Sequence, residues 1–142
     1  MKIKNIEVEE FATFLLNLKL KGKENRMRNK LVKIIQHHLR TVQEEHKDLL
    51  NEYCDKDSNG NYKTITNDDK TFYDIEDVVG FQKEYEKLLE EFCYIPNDEA
   101  NMQMLSCVKD IILNCENEFS GREALRYETY CELFEKEMII TT

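Results

Sequence analysis

Between Asp55 and Thr66 the chain carries the first half of a calcium-binding loop. Asp55, Asp57, Asn59 and Asn61 place oxygen-bearing side chains at alternate positions, with Gly60 where such a loop turns sharply. The twelfth place is Thr66, where calcium needs a bidentate carboxylate, and the residues after it read as a hairpin rather than an exiting helix. Asp68 and Asp69 would substitute only in an irregular loop. Asp, Asn and Gly also form polar turns without any ion. The turn is therefore the competing reading of the same residues.

Three histidines and five cysteines are the other candidates for metal or nucleophilic chemistry. His38 and His46 lie eight residues apart, about 12 Å along a helix, too far for one zinc ion. They read as histidines of a core or its boundary, and no metal set is expected. Cys54, Cys93, Cys107, Cys115 and Cys131 include no C-x-x-C pair, and four of them fall in expected helices beside apolar residues. Reduced, partly buried thiols in a reducing compartment are the expectation. The chain has no glycine-rich phosphate loop, no H-E-x-x-H and no G-x-S-x-G. No enzymatic role-set and no cofactor motif can be assembled, so no enzyme is expected.

A basic stripe is the one extended surface of defined sign. Arg26, Lys30, Lys33, His37 and Arg40 follow one another at spacings of four, three, four and three. On a helix they fall within an arc of about 80° and span about 21 Å. Met27, Leu31, Ile34, Ile35, His38, Leu39 and Val42 occupy the opposite side. Such a face would contact phosphates or an acidic patch on a protein. The competing reading is a charged face that is solvated, or neutralised by the chain's own carboxylates. No aromatic residues interleave with the basic ones, which argues against a stacking platform for single strands.

The elements that must carry these residues are mostly helical. Lys2-Ile3-Lys4 alternates like a short strand. Asn5 is expected to cap a first helix, with Glu7, Glu9 and Glu10 in its first turn and Gly22 as its stop. A long amphipathic helix (25–54) follows, with Asn25 as cap. Tyr62, Thr64, Thr71 and Tyr73 around Asn67-Asp68-Asp69 predict a hairpin near 61–73. Asp74 would cap a third helix over 75–94, and a fourth is expected over 98–118. Ser120-Gly121-Arg122-Glu123 has the pattern of a capping box that opens a fifth, with Ala124, Tyr127, Cys131, Phe134 and Met138 on one stripe. Residues 139–142 are expected to add a strand. The fold class is mainly α, about five helices plus a small hairpin, in a single domain over 1–142.

Charge bounds the partners. The net charge is −9, with +4 in residues 1–50 and −13 in residues 51–142. An acidic body disfavours non-specific binding to nucleic acid and to anionic membranes. No apolar run of signal-peptide or membrane-spanning length is present, so a cytoplasmic protein is expected.

Three stretches carry a family resemblance. They are Leu18-Lys19-Leu20-Lys21-Gly22-Lys23 leading into Arg26-Met27-Arg28; Glu52-Tyr53-Cys54-Asp55-Lys56-Asp57 with Asn59-Gly60; and Val108-Lys109-Asp110 with Leu113-Asn114, followed by Tyr130-Cys131-Glu132 and Phe134-Glu135. In this order the chain resembles a family of small uncharacterised proteins from phages and prophages of Gram-positive bacteria, from Met1 to about Glu135. The motifs look structural, and the family assigns no catalytic residue. The resemblance implies expression in the cytoplasm of a bacterial host, where small phage proteins bind host or defence proteins. The leading expectation is a non-enzymatic interaction protein, with Arg26, Lys30, Lys33, His37 and Arg40 as its binding surface, or with the acidic half engaging a basic, nucleic-acid-binding partner. A virion assembly protein acting as a homo-oligomer, and a calcium-binding module at Asp55–Thr66, are the alternatives. Neither a membrane nor, on overall charge, a nucleic acid is expected as partner.

Overall fold

Lys2-Ile3-Lys4 can bury only its middle side chain, and it does so by pairing with a segment ninety residues away. In the computed structural model, which describes residues 1–137, β1 (Lys2–Lys4) runs antiparallel to β4 (Phe92–Tyr94), with Ile3 opposite Cys93. Residues 92–94 were expected to end the third helix. That helix stops at Glu90, because the chain beyond is drawn out to give β1 its hydrogen-bonding partner. Met138 and the strand expected over 139–142 lie outside the described residues.

Five helices form the rest of the fold among the described residues: α1 (Asn5–Asn17), α2 (Gly22–Tyr53), α3 (Val78–Glu90), α4 (Glu99–Leu113) and α5 (Gly121–Glu137). The mainly α architecture matches the expectation, with shifted boundaries. α2 begins three residues before Asn25, and Gly22 opens it instead of stopping α1. Asp77, not Asp74, caps α3 by accepting from the Gly80 N–H at 3.0 Å. Asp98 caps α4 in the same way through the Asn101 N–H. α4 ends at Leu113, so Cys115 follows the helix, while Cys93 sits on a strand. α5 starts where the capping-box pattern places it, at Gly121.

α2 is the spine. Its 32 residues extend about 48 Å, and it packs against α1, α3 and α4. Met27, Leu31, Val32 and Ile35 join Phe11, Leu15, Leu105, Val108, Ile112 and Phe134 in the core. Each such side chain contributes about 1.5–3 kcal/mol on burial. Phe11 lies 4.8 Å from the Tyr130 ring and 6.3 Å from that of Phe134, which fixes α5 against α1. No described helix is long and apolar enough to cross a membrane.

Beyond Ile35, α2 leaves the core and packs its side against α3. His46 meets the Tyr85 ring at 4.7 Å, and Tyr53 meets Phe81 edge-on at 5.9 Å. The hairpin forms as expected, from β2 (Thr64–Asn67) and β3 (Lys70–Tyr73). Asp68 and Asp69 both have positive φ, 51° and 63°, as the two central residues of a two-residue hairpin turn require. All eight strand residues are exposed.

Candidate interaction surface

The apolar side of α2 fixes which side its charges occupy. With Met27, Leu31, Val32 and Ile35 buried, Arg26, Lys30, Lys33, His37 and Arg40 are all turned to solvent. Among the described residues the salt bridges join Lys4 to Glu90, Lys87 to Glu84 and Arg126 to Glu10. None uses a residue of the stripe. Among the described residues, no carboxylate pairs with the stripe.

The stripe belongs to a wider cationic band. Phe11 to Gln43 contains eight Lys/Arg and one acid, Glu24, while the remaining residues carry 12 Lys/Arg and 28 Asp/Glu. Lys19, Lys21 and Lys23 add exposed positive charge at the α1–α2 connection. The band has a sharp end. Glu44 and Asp48 continue the stripe's own face one and two turns beyond Arg40, with Lys47 at its edge, so the face turns from basic to mainly acidic along a single helix.

Arg28 stands apart from these cations. It is 7 % exposed, and its Nη1 donates to the carbonyls of Leu15 at 2.6 Å and Leu18 at 2.9 Å. Nη2 donates to Asn25 Oδ1 and Nε to Asn29 Oδ1. A guanidinium thus closes the C-terminal end of α1, where the last carbonyls lack helical partners and the dipole favours a cation. Sequence reasoning missed this role. The signal was present: Arg28 falls on the apolar side of the helical wheel.

Asn5 likewise differs from expectation. Lys4 occupies the N-cap position without a side-chain bond. Asn5 is buried, and its Nδ2 donates to the Leu88 carbonyl at 2.8 Å. Its Oδ1 lies 2.6 Å from His38 Nε2, so His38 carries its proton on Nε2. Burial pushes the His38 pKa below its ordinary value, with Glu45 opposing the shift. His37 is exposed, and His46 lies tilted against the Phe81 and Tyr85 rings, so the three histidines do not converge.

The Asp55–Asn61 segment is a tight turn that uses its own carboxylate. Asp57 Oδ1 accepts from the Asn59 N–H at 2.9 Å and the Asn61 N–H at 3.1 Å. Thr66 lies on β2, and the chain leaves the turn as a strand. Among the described residues, no three of His, Cys, Asp and Glu gather where a metal ion would be held. The calcium reading takes no support from this geometry.

No two of the five cysteines are bonded to each other. Burial pushes the Cys93 thiol up to about 11 and raises those of Cys107 and Cys131. These shifts run opposite to what a thiolate nucleophile needs. Tyr127 donates to the Ile112 carbonyl at 2.6 Å, and burial together with its bond to Cys131 raises its pKa to about 12. It serves as a strut between α4 and α5. In comparison with known proteins, no family model, no curated protein and no solved structure matches this chain.

Proposed function

We propose that this chain is a non-enzymatic interaction protein of phage origin. It binds a host or defence protein in the bacterial cytoplasm and modulates or inhibits it. The observation that carries the reading is the solvent-facing row Arg26, Lys30, Lys33, His37 and Arg40, which makes no salt bridge among the described residues in a chain of net charge −9. A row that no described carboxylate pairs with is available to a partner. The resemblance to small phage and prophage proteins supplies the setting.

The change of sign at Arg40–Glu44 selects the kind of partner. A nucleic-acid strand following α2 would run onto Glu44 and Asp48, whose repulsion offsets the phosphate contacts. An acidic protein patch about 20 Å long, ended by positive charge, matches both halves of the face. The test is capture of host proteins by the intact chain and by a K30E/K33E/R40E variant of equal melting temperature. The wild-type chain should retain a partner that the variant and moderate salt release. Equal capture by both chains would overturn the reading.

A further inference from the structure

The hairpin has one edge that no other described segment occupies. Asp57 N–H bonds to the Asn61 carbonyl at 2.7 Å, and Lys63 N–H to the Asp55 carbonyl at 2.9 Å. The Lys63 carbonyl accepts from the Asp74 N–H at 2.8 Å. Ile65 and Asn67 then pair with Phe72 and Lys70 of β3. All these bonds leave from the same side of the strand. By the alternation of an antiparallel ladder, the N–H and C=O groups of Tyr62, Thr64 and Thr66 point to the other side.

That edge lacks the usual defences against pairing. From Tyr62 to Asn67 there is no proline or glycine, and Lys63 is the only charged residue. Threonine, isoleucine and tyrosine favour strands. Ile65, Phe72 and Tyr73 are each about half exposed, and a two-stranded hairpin in water is marginal without further cover.

We infer that the outer edge of β2 pairs with the same edge of a second copy of this chain. The antiparallel register that uses every free group sets Thr64 against its own counterpart and Tyr62 against Thr66 of the other copy. A four-stranded sheet results, with β2 strands at its centre. On one face, Tyr73 and Thr64 of each copy form a continuous row across the two-fold axis. Charge favours a second copy at this place. The segment from Asn61 to Tyr73 holds two lysines and two aspartates, so it is neutral in a chain of −9. Two copies can meet there with less of the repulsion that separates their acidic bodies. The contact is small, which puts it among weak, reversible interfaces.

Sedimentation equilibrium of the intact chain over micromolar to millimolar concentrations tests this. The expected result is a mass that rises toward twice the monomer, with the Tyr62, Thr64 and Thr66 amide resonances shifting in step. Thr64→Pro removes an outward N–H at a position where an edge strand tolerates proline. Thr64→Lys sets like charges across the axis. Both variants should stay monomeric with unchanged circular dichroism. A monomer at all concentrations overturns the inference, as does a dimer that survives both substitutions. A dimer abolished by K30E/K33E instead would move the contact to α2 and overturn it as well. The outcome is independent of partner capture by the cationic face.

Discussion

Among the described residues, 1–35 and 93–134 supply every buried side chain of the main core, whereas between Gln36 and Phe92 only Leu50, Cys54 and Leu88 are buried. The two regions share α2. In the first, α2 is held by close packing on one side, which leaves its outer side unconstrained and able to carry charge. In the second, ring contacts, a helix cap and a turn closed by Asp57 hold the chain. Stability should therefore be unevenly distributed, with the distal region opening more readily than the body.

Paired substitutions sharpen or break this division. The largest difference is expected between Phe11→Ala and Phe72→Ala. Truncating the fully buried Phe11 should cost about 3–5 kcal/mol in denaturant unfolding, while the half-exposed Phe72 should cost about 0.5 kcal/mol or less. Similar costs would show that the hairpin is as firmly packed as the body. A smaller contrast separates two cations of one helix. Arg28→Met strands the Leu15 and Leu18 carbonyls and should cost about 1–3 kcal/mol, whereas Lys33→Met, exposed and without an internal partner, should stay within about 0.5 kcal/mol. A costly Lys33→Met would reveal a contact that the exposed face does not display.

The smallest effect concerns the joint between the regions, where Asn5 links His38 to Leu88. Because the His38 pKa is lowered in the folded chain, the unfolded chain binds more protons just below pH 6.5. Stability should be full above that value and fall as pH drops through the lowered pKa. A His38→Gln variant should show a flatter melting-temperature profile between neutral pH and pH 5. An unchanged slope would remove His38 as its source.

What could be read from the sequence follows the range of the interactions involved. The stripe and its apolar opposite were legible because both depend only on helical period. The hairpin was legible because its turn residues declare it locally. Residues 92–94 were misread because Phe92 continues the spacing of Leu88 and Leu89, while the strand that claims them lies at the other end of the sequence. Asn5 looked like a cap for the same reason: its bonding partners, Leu88 and His38, are remote. Whether the stripe was covered depended on where the chain's 29 Asp and Glu side chains fell, which no periodicity reports. The calcium-like spacing was visible, but not that two backbone amides already occupy Asp57.

The pairing of β1 with β4 has a consequence in time. A ribosome making about 5–20 residues per second finishes Lys4 roughly 5–20 s before Tyr94 exists. During that interval β1 has no strand to pair with. Arg28, by contrast, is made only about 0.5–3 s after Leu15 and Leu18, whose carbonyls it binds. The pair α1–α2 is thus available as an early folded unit, and the first strand of the chain is among the last pieces to find its place.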